Sequence, residues 1–250
     1  MHRMERVRTA VAVCAHPDDL EYFCGGTIRA MADDGWHIGL VIATDGDRGT
    51  HDPAASSQLV ASTRREEAMA AAWILGVSHV EFLGHEDGEL STAASLRAEL
   101  TRIYRSMRPE RLITFDPWKR YELHPDHREI GMAAIDARLF ARLPHFHPEH
   151  LRDGLAPWTI SEILLFNTDE PDYFVDVSRT IEAKLEALRA HTSQWEGIWP
   201  QTSGAVRAEA ARMGALAGAA AAEGFKRLYV PLGPVSAGWS DANNGPTVGC

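Results

Sequence analysis

Cysteine is scarce in this chain of 250 residues: Cys14, Cys24 and Cys250 form no CxxC pair and leave one thiol over however they are joined. That excludes a disulfide framework and points to a reduced, cytoplasmic setting, with Cys14 and Cys24 as small buried hydrophobes. Positive charge is also short, with 25 basic against 35 acidic residues and a net charge of -10. A surface of that sign repels phosphate backbones and anionic lipids, so nucleic acid and membranes are not expected partners. No apolar run approaches the ~20 residues of a membrane span. The N-terminus MHRMERVRTAVAV lacks the apolar core and cleavage site of a signal peptide. Internal repeats are missing, and so is a GxGxxG turn. What remains is an ordinary globular composition, 45% hydrophobic and 24% charged. A chain of this length buries about three quarters of its unfolded surface without covalent staples.

Short β-branched runs alternate with longer helical patterns. VAVCA (11–15), HIGLVIA (37–43), HVEFL (79–83), RLITF (111–115) and EILLF (162–166) read as buried strands. Helical segments lie between them: TIRAMADD ending at Gly35, QLVASTRREEAMAAAWIL ending at Gly76, SLRAELTRIYRSM stopping before Arg108-Pro109, and a fourth over about 126–140. The alternation predicts an α/β fold, a Rossmann-like, mostly parallel sheet with helices on both faces. YFVDV (173–177) reads as an edge strand, Ser178 as the N-cap of the next helix, and about 203–222 as a further, alanine-rich helix. One domain is expected over 1–232. The Gly/Pro/Asn-rich tail 233–250 has a composition that favours disorder. The sequence is compatible with a homo-oligomer and does not require one.

In open α/β sheets ligands bind beyond the carboxyl ends of the strands, so each functional residue should follow a strand. AHPDDLE (15–21) does so, bringing His16, Asp18, Asp19 and Glu21. Adjacent carboxylates beside an imidazole repel one another unless a cation compensates them. One of Asp18 and Asp19 can bind the ion while the other faces a water as base; spacing leaves open which. His124-Pro125-Asp126-His127 follows RLITF in the same way. One of its histidines completes a His-Asp-His set with an open position, as in a catalytic zinc site. The other can stand by as acid or oxyanion stabiliser, oriented by Asp126. His147-Pro148-Glu149-His150 nearly repeats the pattern but follows no clear strand. It reads as a solvated loop, with an adventitious metal site as the alternative. The loop bearing Trp118, Lys119, Arg120 and Tyr121 offers an aromatic and basic rim for a substrate, and loop 46–62 a second rim.

These motifs, with TDGDRGT, RREEAMAAAWILGVSHVEFLGHEDGEL and VDVSRTIEAKLEALRAHTSQ between and after them, resemble the PIG-L-type (LmbE-like) zinc-dependent N-acetylglucosaminyl deacetylases over about residues 11–195. The resemblance implies His16, Asp19 and His127 as ligands of Zn2+ and Asp18 as general base. It implies His124 as electrostatic partner or acid, protonated and supported by Asp126. It also implies Arg64 as a contact to the substrate sugar; a surface arginine in the pair Arg64-Arg65 is the alternative. Glu21 would steady the loop. Mycothiol-pathway members carry a tyrosine two residues before the HPDH histidine, whereas here Tyr121 stands three before it, which weakens a mycothiol-type assignment. The expected reaction is hydrolysis of an N-acetyl amide on a GlcNAc-type sugar. The alternative is an amidase acting on a larger sugar-thiol or sugar-peptide conjugate. A non-haem iron site is disfavoured by the βα alternation, and a nucleotide-binding domain by the acidic first turn. A non-catalytic metal module would have no need of the extra Asp18 and His124.

Overall fold

Six residues, TAVAVC, apolar after the leading threonine, form the strand on which the rest is laid. This strand β1 (Thr9–Cys14) is almost wholly buried, as expected of a strand covered on both faces. The computed structural model describes residues 7–230; the proposed tail at 233–250 lies outside them. Helix α1 (Asp19–Asp33) leads to β2 (His37–Thr44), then α2 (Ser57–Leu75) to β3 (His79–His85) and α3 (Ala94–Met107) to β4 (Arg111–Phe115). Helix α4 (Pro125–Arg142) and the short α5 (Pro148–Arg152) precede β5 (Glu162–Phe166) and β6 (Tyr173–Asp176). The chain then runs through α6 (Ile181–Arg189), α7 (Thr192–Trp195) and α8 (Trp199–Ala217) to β7 (Ala222–Tyr229).

The seven strands are ordered β3-β2-β1-β4-β5-β7-β6. The first five are parallel, and β7 runs antiparallel between β5 and β6. The expected α/β architecture is therefore present, with all five anticipated parallel strands in place. From β1 the chain moves outward to β2 and β3, then returns to the other side of β1 as β4. The strand order reverses between β1 and β4, which is where an open α/β sheet leaves a crevice. Val13 pairs with Thr114 in register, and Thr114 Oγ1 donates to Val13 O at 2.9 Å. Everything that follows these two strands emerges side by side.

Three local expectations need correction. The alanine-rich helix ends at Ala217, because Gly218 takes φ +73° and stops it. Residues 222–229, partly assigned to that helix, form strand β7. Ser178 is not an N-cap: helix α6 is capped at Thr180, and Ser178 Oγ donates to Asp176 Oδ1 at 2.6 Å.

Strand β7 also holds the helix that begins at the first motif. Helix α1 is broken at Cys24 (φ -143°, ψ 20°), which strips two N–H groups of their helical partners. Glu223 accepts both, from Gly26 N at 3.1 Å and Thr27 N at 2.7 Å, and pairs with the buried Lys184 ammonium. Glu223→Ala should therefore cost about 3–5 kcal/mol, since it leaves a buried ammonium and two N–H groups unpaired. Glu223→Gln, which keeps an acceptor, should cost less. Urea unfolding of both variants checks this; a loss below about 1 kcal/mol for the alanine would show that Glu223 does not cap the broken helix.

Candidate metal and catalytic site

Beyond the carboxyl ends of β1 and β4, the two HPD motifs meet. The first is folded inward by its own carboxylate. Asp19 Oδ2 accepts from His16 N at 2.8 Å and Ala15 N at 3.0 Å, closing the turn into α1. The second motif starts helix α4. His124 is its N-cap, with Nδ1 accepting from Asp126 N at 3.3 Å, and Pro125 fills the first turn. Helix α4 approaches β4 closely enough that a Cβ on Gly131 would lie 2.7 Å from Phe115 O, so that position needs glycine. This closeness brings His127 onto the Phe115 ring, with centroids 4.0 Å apart.

His16, His124 and His127 converge, with ring centroids 4.5–5.4 Å apart, 108 or more residues separating the first from the other two. Their ligating atoms lie within 4.8 Å of one another, as do those of His16, Asp87, His124 and Asp126. His16 Nε2 is tied to Asp126 Oδ2 and Asp87 Oδ1, both at 3.1 Å, leaving Nδ1 3.6 Å from Asp19 Oδ2. His127 repeats the arrangement: Nδ1 faces Glu122 Oε1 at 3.4 Å and Nε2 faces Asp19 Oδ1 at 3.3 Å. Ligands bound tetrahedrally at ~2.0–2.1 Å stand about 3.3–3.4 Å apart; the two separations at Asp19 are near that value but run to opposite oxygens of the carboxylate, and the tight cluster of ligating atoms joins His16 to His127 through His124. The His16 and His127 imidazoles each also have a carboxylate on the other nitrogen, as metal-binding histidines do.

The charges of these groups follow from burial and from one another. Burial works against ionising Asp19, but His127 and His16 outweigh it and hold the carboxyl far below the ordinary range. Burial likewise disfavours a charged His16, yet hydrogen bonds to Asp126, Asp19 and Asp87 raise it. Asp18 goes the other way: burial pushes it up, against the pull of Arg64, to about 6. His124 is pushed below its ordinary value by burial and by the neighbouring His16 and His127. That direction runs against the protonated ring implied by the resemblance. With Nδ1 accepting from the Asp126 backbone, Nε2 carries the proton.

Two further expectations change. The Asp126 side chain does not orient His124. Its oxygens accept from Gly88 N at 2.7 Å and Leu90 N at 3.2 Å and meet His16, while only its backbone N–H touches His124. Arg64 is not a surface residue but 4% exposed, and its guanidinium donates to Pro17 O at 2.6 Å, Gly46 O at 3.0 Å and Asp18 Oδ1 at 3.2 Å. Gly46, at φ +59°, passes so close that a Cβ would collide with this guanidinium. The exposed member of the pair is Arg65, on Asp45. Asp87 was missed. It follows β3 at the same end of the sheet, in the acidic turn Glu86–Glu89, and that position was its one signal. Glu21 is buried against His191, 3.4 Å away.

Trp118 and Tyr121 are 60% and 85% exposed and, with Lys119 and Arg120, line one wall of a groove of roughly 640 Å³. Asp169, Glu170 and Lys226 line the other. The segment 147–150 is not a solvated loop. It enters α5, with His150 buried and Arg105 donating to His147 O at 3.0 Å. The ligating atoms of His147, Glu149 and His150 also lie within 4.8 Å of one another.

Comparison with known proteins agrees with this geometry. The family described as PIG-L, GlcNAc-PI de-N-acetylase, matches residues 11–138. A diacetylchitobiose deacetylase of Thermococcus kodakarensis is 38% identical over 90% of this chain and 84% of its own. A 1D-myo-inositol 2-acetamido-2-deoxy-alpha-D-glucopyranoside deacetylase of Actinosynnema mirum is 32% identical over 77% of this chain and 82% of its own. The structure of N,N'-diacetylchitobiose deacetylase from Pyrococcus horikoshii, solved with its inhibitor MPG, superposes with a TM-score of 0.86 at 37% identity, covering 89% of this chain and 84% of that one.

The buried contacts of Arg64 carry a prediction of their own. Arg64→Ala should remove about 2–3 kcal/mol of stability, because two carbonyls and the Asp18 carboxylate lose a charged donor. Thermal unfolding of the unliganded protein reads this; an unchanged Tm would mean that Arg64 does not hold the site loops together.

Proposed function

The chain belongs to the PIG-L, GlcNAc-PI de-N-acetylase family, and from that premise we propose that it hydrolyses the N-acetyl amide of a GlcNAc-type sugar or its conjugate, releasing acetate and a free amine. In this reading His16, Asp19 and His127 hold zinc. The observation that carries it is the turning of His16 Nδ1 and His127 Nε2 onto opposite oxygens of Asp19, with a second carboxylate, Asp18, next in sequence and raised to about 6. A zinc ion bound there supplies Lewis acidity, polarising the amide carbonyl and bringing the pKa of the attacking water toward ~7.

The remaining steps belong to the protein. Asp18, ionised near neutral pH, takes the proton from water as its oxygen attacks the carbonyl carbon. His124 Nε2–H donates to the developing oxyanion, a role typically worth about 3–4 kcal/mol. Asp18, now protonated, returns its proton to the amine nitrogen as the C–N bond breaks. Asp126 and Asp87 hold His16 in orientation throughout. The sugar stands against the Asp18 loop, which Arg64 holds from behind, and the part beyond it lies along Trp118 and Tyr121. An aromatic platform flanked by acidic and basic side chains suits a second sugar ring, by stacking and by hydrogen bonds to its hydroxyls.

A panel of N-acetylated mono- and disaccharides and conjugates, assayed for acetate release with zinc-loaded protein, tests the proposal. Release is expected to stop with a chelator and return with zinc, and to favour substrates that reach the groove, because remote contacts lower the barrier. Absence of release from every GlcNAc-bearing compound would overturn the assignment. Asp18→Asn should keep its metal and lose at least ~100-fold in kcat, whereas Asp19→Ala should lose the metal. Metal content and turnover of the two purified variants distinguish the roles; the opposite pattern would reverse them.

A further inference from the structure

Stacking fixes the plane of the His127 ring but not the location of its proton. The ring lies between Phe115, 4.0 Å away at 16°, and His124, 4.6 Å away at 20°. Both neighbours are indifferent to which nitrogen carries hydrogen. For Nε2 to offer a lone pair to a metal shared with Asp19, instead of a proton to the Asp19 carboxylate itself, the proton must reside on Nδ1. That nitrogen is buried, has no hydrogen-bond partner of good geometry, and faces one carboxylate oxygen, Glu122 Oε1, at 3.4 Å.

Glu122 is itself firmly placed. Oε1 accepts from His124 N at 3.1 Å, Oε2 accepts from Asn167 Nδ2 at 2.7 Å, and Lys119 Nζ lies 3.9 Å from Oε2. Asn167 is locked in turn, with φ +55° and its Oδ1 accepting from Lys119 Nζ. A carboxylate this constrained, aimed at the second nitrogen of an imidazole, is the arrangement by which proteins set the tautomer of a metal-binding histidine. Asp126 does the same for His16 from the opposite side of the site. The two carboxylates differ in one respect: Asp126 is inside the HPDH motif, whereas Glu122 is outside it, on the loop that also forms the groove wall.

We propose that Glu122 is a positioning residue for the metal centre, holding His127 in the Nδ1–H tautomer so that the Nε2 lone pair is free for a metal shared with Asp19. This rests on the ligand set proposed above. Asn167 and Lys119 complete the support: Lys119, Asn167 and Glu122 are hydrogen-bonded in series, and Glu122 Oε1 ends the series facing His127 Nδ1 at 3.4 Å.

The test is zinc affinity, measured by competition with a chromophoric chelator on the full-length protein. His127→Ala is the control for the ligand set: if it binds zinc as tightly as the wild type, the ligand assignment fails, and this proposal with it. Given a loss there, Glu122→Ala should weaken zinc binding by about 10–100-fold. Glu122→Gln, which keeps an acceptor facing Nδ1, should recover to within a few-fold of wild type, and Asn167→Ala should fall between the two. Long-range 1H–15N spectra of the zinc-loaded protein should show the His127 proton on Nδ1, with that signal lost or shifted in Glu122→Ala. Wild-type affinity and an unchanged Nδ1 signal in Glu122→Ala would overturn the proposal. Should the alanine variant fail to fold, wild-type affinity in Asn167→Ala together with a loss in Glu122→Gln as large as that in His127→Ala would do the same.

Discussion

His16 Nε2 and Asp126 Oδ2, 3.1 Å apart, join two loops that follow strands β1 and β4. The contact exists because β4 returns to lie against β1 rather than beyond β3. With Val13 and Thr114 paired in register, the next residues on either side leave the sheet together. Asp126 then does three things with one carboxylate. It orients His16, accepts Gly88 N and accepts Leu90 N. The last two anchor the loop after β3, which carries Asp87 back onto the same imidazole nitrogen. Three of the parallel strands are thus tied to one histidine ring, and the remaining nitrogen of that ring is left for chemistry.

The same region concentrates negative charge. Asp18, Asp19, Asp87, Glu122 and Asp126 surround three imidazoles and the guanidinium of Arg64. Buried carboxylates at this density are costly unless neutralised. Protonating His16 relieves part of the imbalance, which is why it is held above its ordinary range despite burial. A dication would do so more fully: on the ligand set proposed above, His16 would give up that proton and Asp19 would hold the ion. In this view the acidic residues beyond the ligands are not surplus, because each fixes an imidazole or a loop whose position the metal requires.

The parallel sheet was legible because its strands are short runs of β-branched and other apolar residues, bounded by glycine and polar turns. Strand β7 was not. Its sequence AEGFKRLY places Lys226 and Arg227 in a partly exposed outer position, and the alanines before it continue a helical composition that only Gly218 interrupts. In the site, both HPD motifs could be read directly, since their residue types have few other uses at strand ends. Partnerships were harder. Asp126 adjoins His124 in sequence, yet its side chain crosses to His16, because the first turn of a helix directs successive side chains apart. Arg64 spends its donors on backbone carbonyls, which leave no trace in residue identity. Glu122 and Asp87 were not singled out, because nothing in the sequence ties them to the site until the loops carrying them are folded over the strand ends.

Asp18 and Asp19 show how neighbours of one type acquire different chemistry. Asp18 adopts φ +103°, a conformation that typically costs a non-glycine residue about 1–3 kcal/mol. Arg64 offsets that strain from one side through Pro17 O and Asp18 Oδ1, and Asp19 from the other by gripping Ala15 N and His16 N. Asp19 lies between two imidazoles and is held ionised, while Asp18 stands beside an arginine and is raised to about 6. Separating the protonation ranges of two carboxylates is what lets one stay a fixed charge while the other exchanges a proton. On the roles proposed above, that difference in surroundings is what separates a ligand from a base within one Asp-Asp pair.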